Sequence, residues 1–447
     1  NFRLIGFVLL LLFGITAGNV VSAQKQDSVR YNQYGVEVKR TPLNAELRSG
    51  TLVFETEDQS TRIWTDIRVQ TDGAAFFGKT LNPIGNGTGI RRARIGVKTT
   101  FAKNWYGEID IDLANSELEL KDAYVKYSFN NGLRFRAGNF KEPFSMETTT
   151  TSRYLTFMER ANVVSTFGPS RHIGITGAYS HNWFCAEGGV FFQTIGGLEE
   201  RTFSEDANKD QGVDEGMSYT GRIVLMPLYK SNDMGLHLGF AGSYRTPKTD
   251  AEIAGSVRYS TRSISSINRK KYMDTSDITE VDHELLGGIE LAGFYKGFRL
   301  QSEYIMNNTY RKNSLGTEKF NGFYVFGSYL LFGGNYVYNI EEGEFTQPSR
   351  GKNWGDIELA LRYDYLDLNS RSQGVMGGSG DSYTLGINYL VNENVKIMLN
   401  YALINHDRYA NAKGKLYVGH DIDGNLTKKP SEVIESAGKA GEDYSMV

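Results

Sequence analysis

The sequence predicts an all-β fold, a sixteen-stranded antiparallel transmembrane β-barrel. Three observations predict it. After residue 23 no stretch is apolar enough to cross a bilayer as a helix, which takes about 20 apolar residues. From about residue 61 the chain divides into segments of about ten residues in which apolar and polar side chains alternate. The links between those segments alternate between tight turns and long loops.

A barrel strand turns every second side chain to lipid and the others to the lumen, so only half its residues need be apolar. Ile109, Ile111 and Leu113 fall on one face of their segment, and Glu108, Asp110 and Asp112 on the other. The next segment sets Ala123, Val125, Tyr127 and Phe129 against Asp122, Tyr124, Lys126 and Ser128. A soluble two-faced sheet alternates in the same way, and the connections separate the two readings.

Strands are expected at about 61–77, 89–101, 105–113, 118–129, 133–141, 172–180, 183–193, 219–227, 235–244, 284–295, 298–307, 322–332, 356–367, 382–390, 395–404 and from 444 onward. An even number returns both termini to the periplasmic side. Ala102-Lys103-Asn104, Asn130-Asn131-Gly132, His181-Asn182, Lys296-Gly297 and Val391-Asn392-Glu393-Asn394 are tight links, and all follow even-numbered strands. The longest connections, 142–171, 194–218, 245–283 and 405–443, all follow odd-numbered ones. Short periplasmic turns and long outer loops are the barrel rule, although the 333–355 connection is long on the short-turn side.

The first residues have the pattern of a secretory leader: Arg3, an apolar run from Leu4 to Phe13, and the small-residue site Val21-Ser22-Ala23. That run is short for about 30 Å of hydrocarbon. With no Cys near the cleavage point, a lipid-anchored start is not indicated. The expected organisation is a signal peptide at 1–23, an N-terminal periplasmic segment at 24–58 and a barrel domain at 59–447. The chain stops four residues into its closing strand, and an open edge in lipid costs several kcal/mol per unpaired backbone group. The natural chain is therefore expected to continue by roughly ten residues.

By length alone, 447 residues could hold two or three soluble domains, but the 8 prolines, 50 glycines, 27 tyrosines and 25 phenylalanines are spread along the whole chain. That suits one repetitive body with aromatic belts. Removing the leader's Arg3 leaves 48 basic against 52 acidic residues, which excludes a generally basic, nucleic-acid-binding chain. The single cysteine, Cys185, can make no internal disulfide and falls in an apolar strand, buried or facing lipid.

Four blocks in order carry a family resemblance. Gly138-Asn139-Phe140-Lys141-Glu142-Pro143-Phe144-Ser145-Met146-Glu147, followed by Leu155 to Arg160, resembles the signature of the phosphate-selective porins O and P. Gly343-Glu344-Phe345 to Pro348 with Trp354 and Glu358 to Tyr363 resembles a second block; Asp122-Ala123-Tyr124 and Gly89 to Arg94 resemble two more. The resemblance implies an outer-membrane channel, a homotrimer, with its third outer loop, here 142–171, folded inward as a constriction. The loop's content fits a lumenal position: Arg153, Glu159, Arg160 and Arg171 stand among Thr148, Thr149, Thr150, Thr151 and Ser152, with Thr156-Phe157-Met158 as apolar anchors. A mobile surface loop is the alternative. In the family, anion selectivity is associated with arginines and a lysine near the constriction; Arg91 and Arg92 match the paired arginines, and Lys141 the lysine.

An anion in a narrow pore loses part of its hydration shell, and fixed positive charge must replace it. Alternation puts Arg92, Arg94 and Lys98 on one face of strand 89–101 and Ala93, Ile95 and Val97 on the other. The same parity adds Arg134 and Arg136, and Arg62 and Arg68. The lumen also receives Asp66, Glu108, Asp110 and Asp112, so a mixed field that orders water competes with true anion preference.

Signals for catalysis or metals are weaker. Gly378-Ser379-Gly380 lacks the G-x-S-x-G spacing because Asp381 stands in place of the last Gly. Asp206, Asn208, Asp210 and Gly212 suggest a Ca²⁺ loop, but the Gly is one residue late and Met217 replaces the bidentate Glu. The six histidines have no metal-ligand spacing, and Asp423-Gly424-Asn425 marks a hairpin turn. No enzyme, metal or cofactor is expected. The expectation is a channel of the bacterial cell outer membrane, surrounded by lipid, passing small hydrophilic solutes, with anions including phosphate first. The alternatives are a weakly selective or sugar porin, and a structural barrel of an envelope complex.

Overall fold

The alternating segments are strands. The computed structural model describes residues 29–39, 41–192, 194, 215–229, 233–247 and 253–447 (of Asn115, the backbone). Its long strands are β1 (Arg62–Ala74), β2 (Gly87–Phe101), β3 (Trp105–Asp112), β4 (Glu119–Ser128), β5 (Leu133–Lys141), β6 (Arg171–His181), β7 (Phe184–Phe191), β8 (Ser218–Leu225), β9 (Met234–Arg245), β10 (Val281–Tyr295), β11 (Phe298–Arg311), β12 (Glu318–Leu330), β13 (Asp356–Ser370), β14 (Val375–Leu390), β15 (Lys396–His406) and β16 (Tyr444–Met446). Each pairs antiparallel with the next in one large sheet. Thr51–Thr56 pairs with β1, and Phe76–Phe77 pairs with β16. The expected leader and the acidic loop containing Asp206 and Asp210 lie outside the described residues.

The chain divides into two units, Asn1–Leu43 and Asn44–Val447. In the first, Arg30–Tyr31 pairs with Glu37–Val38 around a turn in which Asn32 Oδ1 accepts from the N–H groups of Tyr34 and Val36. The second unit holds the sheet.

The sheet inverts the burial of a soluble protein. Ile67, Val97, Ile109, Val125, Phe135, Ile175, Phe240 and Leu361 are exposed, whereas Arg92, Asp110, Arg134, Arg222, Glu290, Glu303, Arg362 and Asp364 are buried. An apolar exterior over a polar interior suits hydrocarbon outside. At the tight-turn end the exterior carries aromatic rings in a chain: Phe101 to Trp105 at 5.9 Å, Trp105 to Tyr127 at 4.8 Å and Tyr127 to Phe129 at 4.7 Å between centroids. Phe332, Trp354 and Tyr389 form a second such group at the same end. Rings with a polar edge settle where hydrocarbon meets water.

Strands β10 to β14 run further toward the long loops than alternation predicts: β12 starts at Glu318 rather than 322, and β14 at Val375 rather than 382. Beyond the hydrocarbon an outward residue need not be apolar, so backbone pairing continues where the apolar alternation stops. The turn expected at His181-Asn182 lies at Asn182-Trp183, which leaves Trp183 exposed in the aromatic zone. Cys185 is buried on the polar face, under the 333–355 connection, and not toward lipid.

Segment 142–170, between β5 and β6, contains α1 (Met146–Thr149) and α2 (Asn162–Phe167). Ser145 caps α1 by accepting from the Thr148 N–H. The segment lies on the polar face and not out in solvent. Phe144, Phe157, Val163 and Phe167 pack there with Ile305, Phe320, Tyr324 and Phe326 of β11 and β12. Gly322 of β12 makes room for it, since a Cβ there would stand 2.9 Å from Val163 Cγ2.

Candidate functional site

β1 and β2 meet with Gln70 opposite Arg92 and Arg68 opposite Arg94. The register slips between Gln70 and Thr71, so Arg91 is an extra residue in β2. Strict alternation would send Arg91 outward. The bulge turns it in beside Arg92, where its Nη2 lies 2.8 Å from Glu159 Oε2 of the inner segment.

The cations expected on this face converge there, and most are already engaged. Arg94 Nε lies 2.9 Å from Asp112 Oδ2, and Lys98 Nζ 2.9 Å from Asp66 and 3.3 Å from Glu108. Arg153 also pairs with Asp66. Arg171 forks onto Asp122 at 2.6 and 3.0 Å. Arg134 reaches Glu341 at 3.0 Å, and Arg136 reaches Glu342 at 3.4 Å. Lys141 Nζ donates to the carbonyls of Thr148, Thr149 and Thr150 at 2.7, 3.0 and 3.2 Å. Arg160 donates to those of Glu147 and Thr150 at 2.7 and 2.8 Å. Lys141 at the end of β5 and Arg160 within the segment thus converge on the same turn of carbonyls, 147–150, and fix its fold. Asp110, 3.8 Å from Arg94, joins the same mixed field.

Two guanidiniums on the strand wall are held by neutral side chains instead. Arg68 donates to Ser152 Oγ at 2.9 Å and Arg92 to Gln70 Oε1 at 2.7 Å; neither has a carboxylate in ion-pair reach among the described residues. Both border a cavity of about 570 Å³ with Gln70, Ser152, Arg153 and Lys396. A second cavity of about 280 Å³, lined by the Arg94, Lys98, Glu108, Arg134 and Glu342 field, shares Arg68 with it.

Buried acids that alternation over the first strands did not single out hold segment 142–170. Glu142 lies 2.6 Å from His172 Nδ1 and accepts from Arg245 Nη1 at 2.8 Å and from Thr220 Oγ1 at 2.5 Å. Burial opposes its charge, yet Arg245 and His172 hold its carboxyl below the usual range. Glu147 accepts from the Ala161 N–H at 3.0 Å, and burial pushes its carboxyl up. Glu303 accepts from the Glu147 N–H at 2.8 Å, Asp364 from the Asn162 N–H at 2.9 Å, and Asn400 from the Met158 N–H at 3.0 Å. Asn388 Nδ2 donates to Thr156 O at 2.7 Å, and the Arg362 guanidinium sits 4.5 Å over the Phe157 ring. For Arg245, Glu303, Arg362 and Asp364 the sequence signal is charge at inward positions of β9 to β13, where apolar residues hold the alternate places.

Glu108, Asp110 and Asp122 bring carboxylate oxygens within 4.8 Å of one another, a donor set a divalent cation could use. Here Lys98, Arg94 and Arg171 already neutralise it. Ser379 donates to Asp407 Oδ2 at 2.9 Å, in keeping with a structural hydroxyl.

The family model for phosphate-selective porin O and P matches residues 63–426. The chain is 23% identical to Porin O of Pseudomonas aeruginosa over 414 residues, covering 85% of this chain and 90% of that one. It is 28% identical over 330 residues to an uncharacterized protein of Caulobacter vibrioides, covering 72% of this chain and 64% of that relative's length. In fold it is similar to outer-membrane OmpT of Vibrio cholerae, with a TM-score of 0.50, 13% identity and coverage of 86% and 96%. It is also similar to the trimer form of OmpT, with a TM-score of 0.51, 11% identity and coverage of 87% and 98%. Family and fold are those of a channel, and the chain belongs to the phosphate-selective porin O and P family as a β-barrel porin of the bacterial outer membrane.

Proposed function

We propose that the strands β1 to β16 form a closed sixteen-stranded barrel, a homotrimer subunit, whose water-filled pore passes small hydrophilic anions, phosphate among them, by passive diffusion. Segment 142–170 narrows the pore, and the residues that recognise the anion are Arg68 and Arg92, flanked by Arg91, Arg94 and Arg153. The observation that carries this reading is that, among the described residues, Arg68 and Arg92 on the wall of the 570 Å³ cavity meet the neutral Ser152 and Gln70 and no carboxylate in ion-pair reach. A desolvated guanidinium that no internal anion satisfies favours one from solution, and two of them on adjacent strands suit the several oxygens of an oxyanion.

A weakly selective porin is the second reading, favoured by the ion pairs of Arg94, Lys98, Arg134, Arg136 and Arg171. Planar-bilayer recordings separate the two. Under a KCl gradient the anion reading expects a chloride-side reversal potential, with phosphate reducing the chloride current. A reversal potential near zero and no phosphate block would leave the weakly selective reading.

A further inference from the structure

The connection between β12 and β13 comes from the tight-turn end, where links are short, yet it turns into the polar face as a hairpin. Tyr338–Asn339 pairs with Glu344–Phe345. Its base is fixed to the wall: the Tyr336 hydroxyl meets Ser328 Oγ at 2.7 Å and donates to Glu358 Oε1 at 2.6 Å, and the Tyr338 hydroxyl meets His237 Nδ1 at 2.6 Å. The Arg299 guanidinium stacks 4.5 Å over Tyr336 and 4.8 Å over Phe345.

Its tip is acidic and points at the basic row. Glu341 pairs with Arg134 at 3.0 Å, and Glu342 with Arg136 at 3.4 Å and Lys126 at 3.7 Å. The backbone carbonyls of Glu342 and Gly343 accept from Arg222 at 3.1 and 2.8 Å. Gly343 has φ +62°, and a Cβ on it would stand 3.1 Å from Cys185 Sγ, so the tip covers that thiol. The Glu341 side chain is 69% exposed while its partner Arg134 is 7% exposed, so the carboxylate stands between the buried cation and the water.

We propose that this hairpin is a built-in counter-anion that sets the channel's selectivity. Glu341 and Glu342 occupy the cations of Lys126, Arg134 and Arg136 in place of a solute anion, which leaves the Arg68 and Arg92 corner as the anion-selecting surface. The inference rests on the reading of the chain as an ion-conducting pore, and not on a preference for phosphate.

The test compares the chloride-to-potassium permeability ratio of the full-length wild type, Glu341→Gln/Glu342→Gln and the charge-preserving Glu341→Asp/Glu342→Asp in planar bilayers. At water's dielectric constant, one charge about 7 Å from the ion path changes local ion concentration about threefold. The Gln pair is expected to raise the ratio by at least about threefold, and the Asp pair to leave it near the wild-type value. A cationic methanethiosulfonate applied to Cys185 reports the hairpin's position. A raised ratio with Cys185 still protected supports the proposal. An unchanged ratio in the Gln pair overturns it, as does a rise in both ion conductances with Cys185 made reactive, which would mean a displaced plug. A wild type without conductance steps would instead fail the channel reading itself.

Discussion

Glu142→Gln tests how the inner segment is held. Glu142 stands at the first residue after β5, with its side chain fully buried. It gathers Arg245 at 2.8 Å, His172 at 2.6 Å, Thr220 at 2.5 Å and Ser218 at 3.2 Å. The amide fits the same space but leaves the buried Arg245 without its counter-charge, with Ser243 Oγ of β9 3.3 Å away. Breaking a buried ion pair from one side costs about 3–5 kcal/mol, because a charge is left uncompensated. Replacing both members, as Glu142→Gln/Arg245→Met, should recover most of that. Urea unfolding in lipid vesicles measures the cost, and single-channel noise shows whether the segment has come loose. Because the folded Glu142 carboxyl lies below its ordinary value, its stabilisation is present above the carboxylate range and lost as pH falls through the folded pKa. The variant's stability should therefore lack that acid-side fall. A cost below about 1 kcal/mol with a quiet, wild-type current would refute the anchoring argument.

Three other outcomes are expected. Ile109, 60% exposed on the outer face, should cost about 2–4 kcal/mol when changed to Arg if it lies near the bilayer midplane, read by unfolding in vesicles. Phe157→Ala empties the space beneath Arg362 and beside Phe326, at a cost of about 3–5 kcal/mol, and should expose residues 151–160 to protease while the strands stay protected. Burial pushes the Glu344 carboxyl up to about 7, against the pull of Lys141, so it is mostly neutral below that pH and charged above it. The anion-to-cation permeability ratio should fall as pH rises through about 7, and Glu344→Gln should flatten that dependence. With the folded value above the unfolded one, stability falls as pH rises from the ordinary carboxylate range to about 7, and the Gln variant should lose that slope as well.

The strands were legible because lipid enforces a period of two: Ile109 and Val125 must face out whatever else the chain does. Where that constraint ends, so did the legibility, as at the extended β12 and β14. Arg91 shows a second limit, since its inward turn depends on a one-residue bulge that alternation does not encode. The inward parity of Arg92, Arg94 and Lys98 was readable, as was that of Asp66, Glu108 and Asp112, which pair with Arg94 and Lys98; the partners of Arg91 and Arg136 were not. Asp112 sits across a strand pair, whereas Glu159 and Glu342 arrive from connections distant in sequence. The length of the 333–355 connection was visible, yet its direction is set by Tyr336, Tyr338 and Phe345 finding pockets on other strands. Which arginines remain without a carboxylate is a property of the whole assembled wall.

We propose that Arg68 and Arg92 give the pore a preference for anions. It is tested most directly by the zero-current potential of the wild type and of Arg68→Ala/Arg92→Ala in one KCl gradient, with and without phosphate. A chloride-side potential and phosphate block in the wild type, both diminished in the variant, are the expected result. A wild-type potential near zero, or a variant indistinguishable from the wild type, would contradict it.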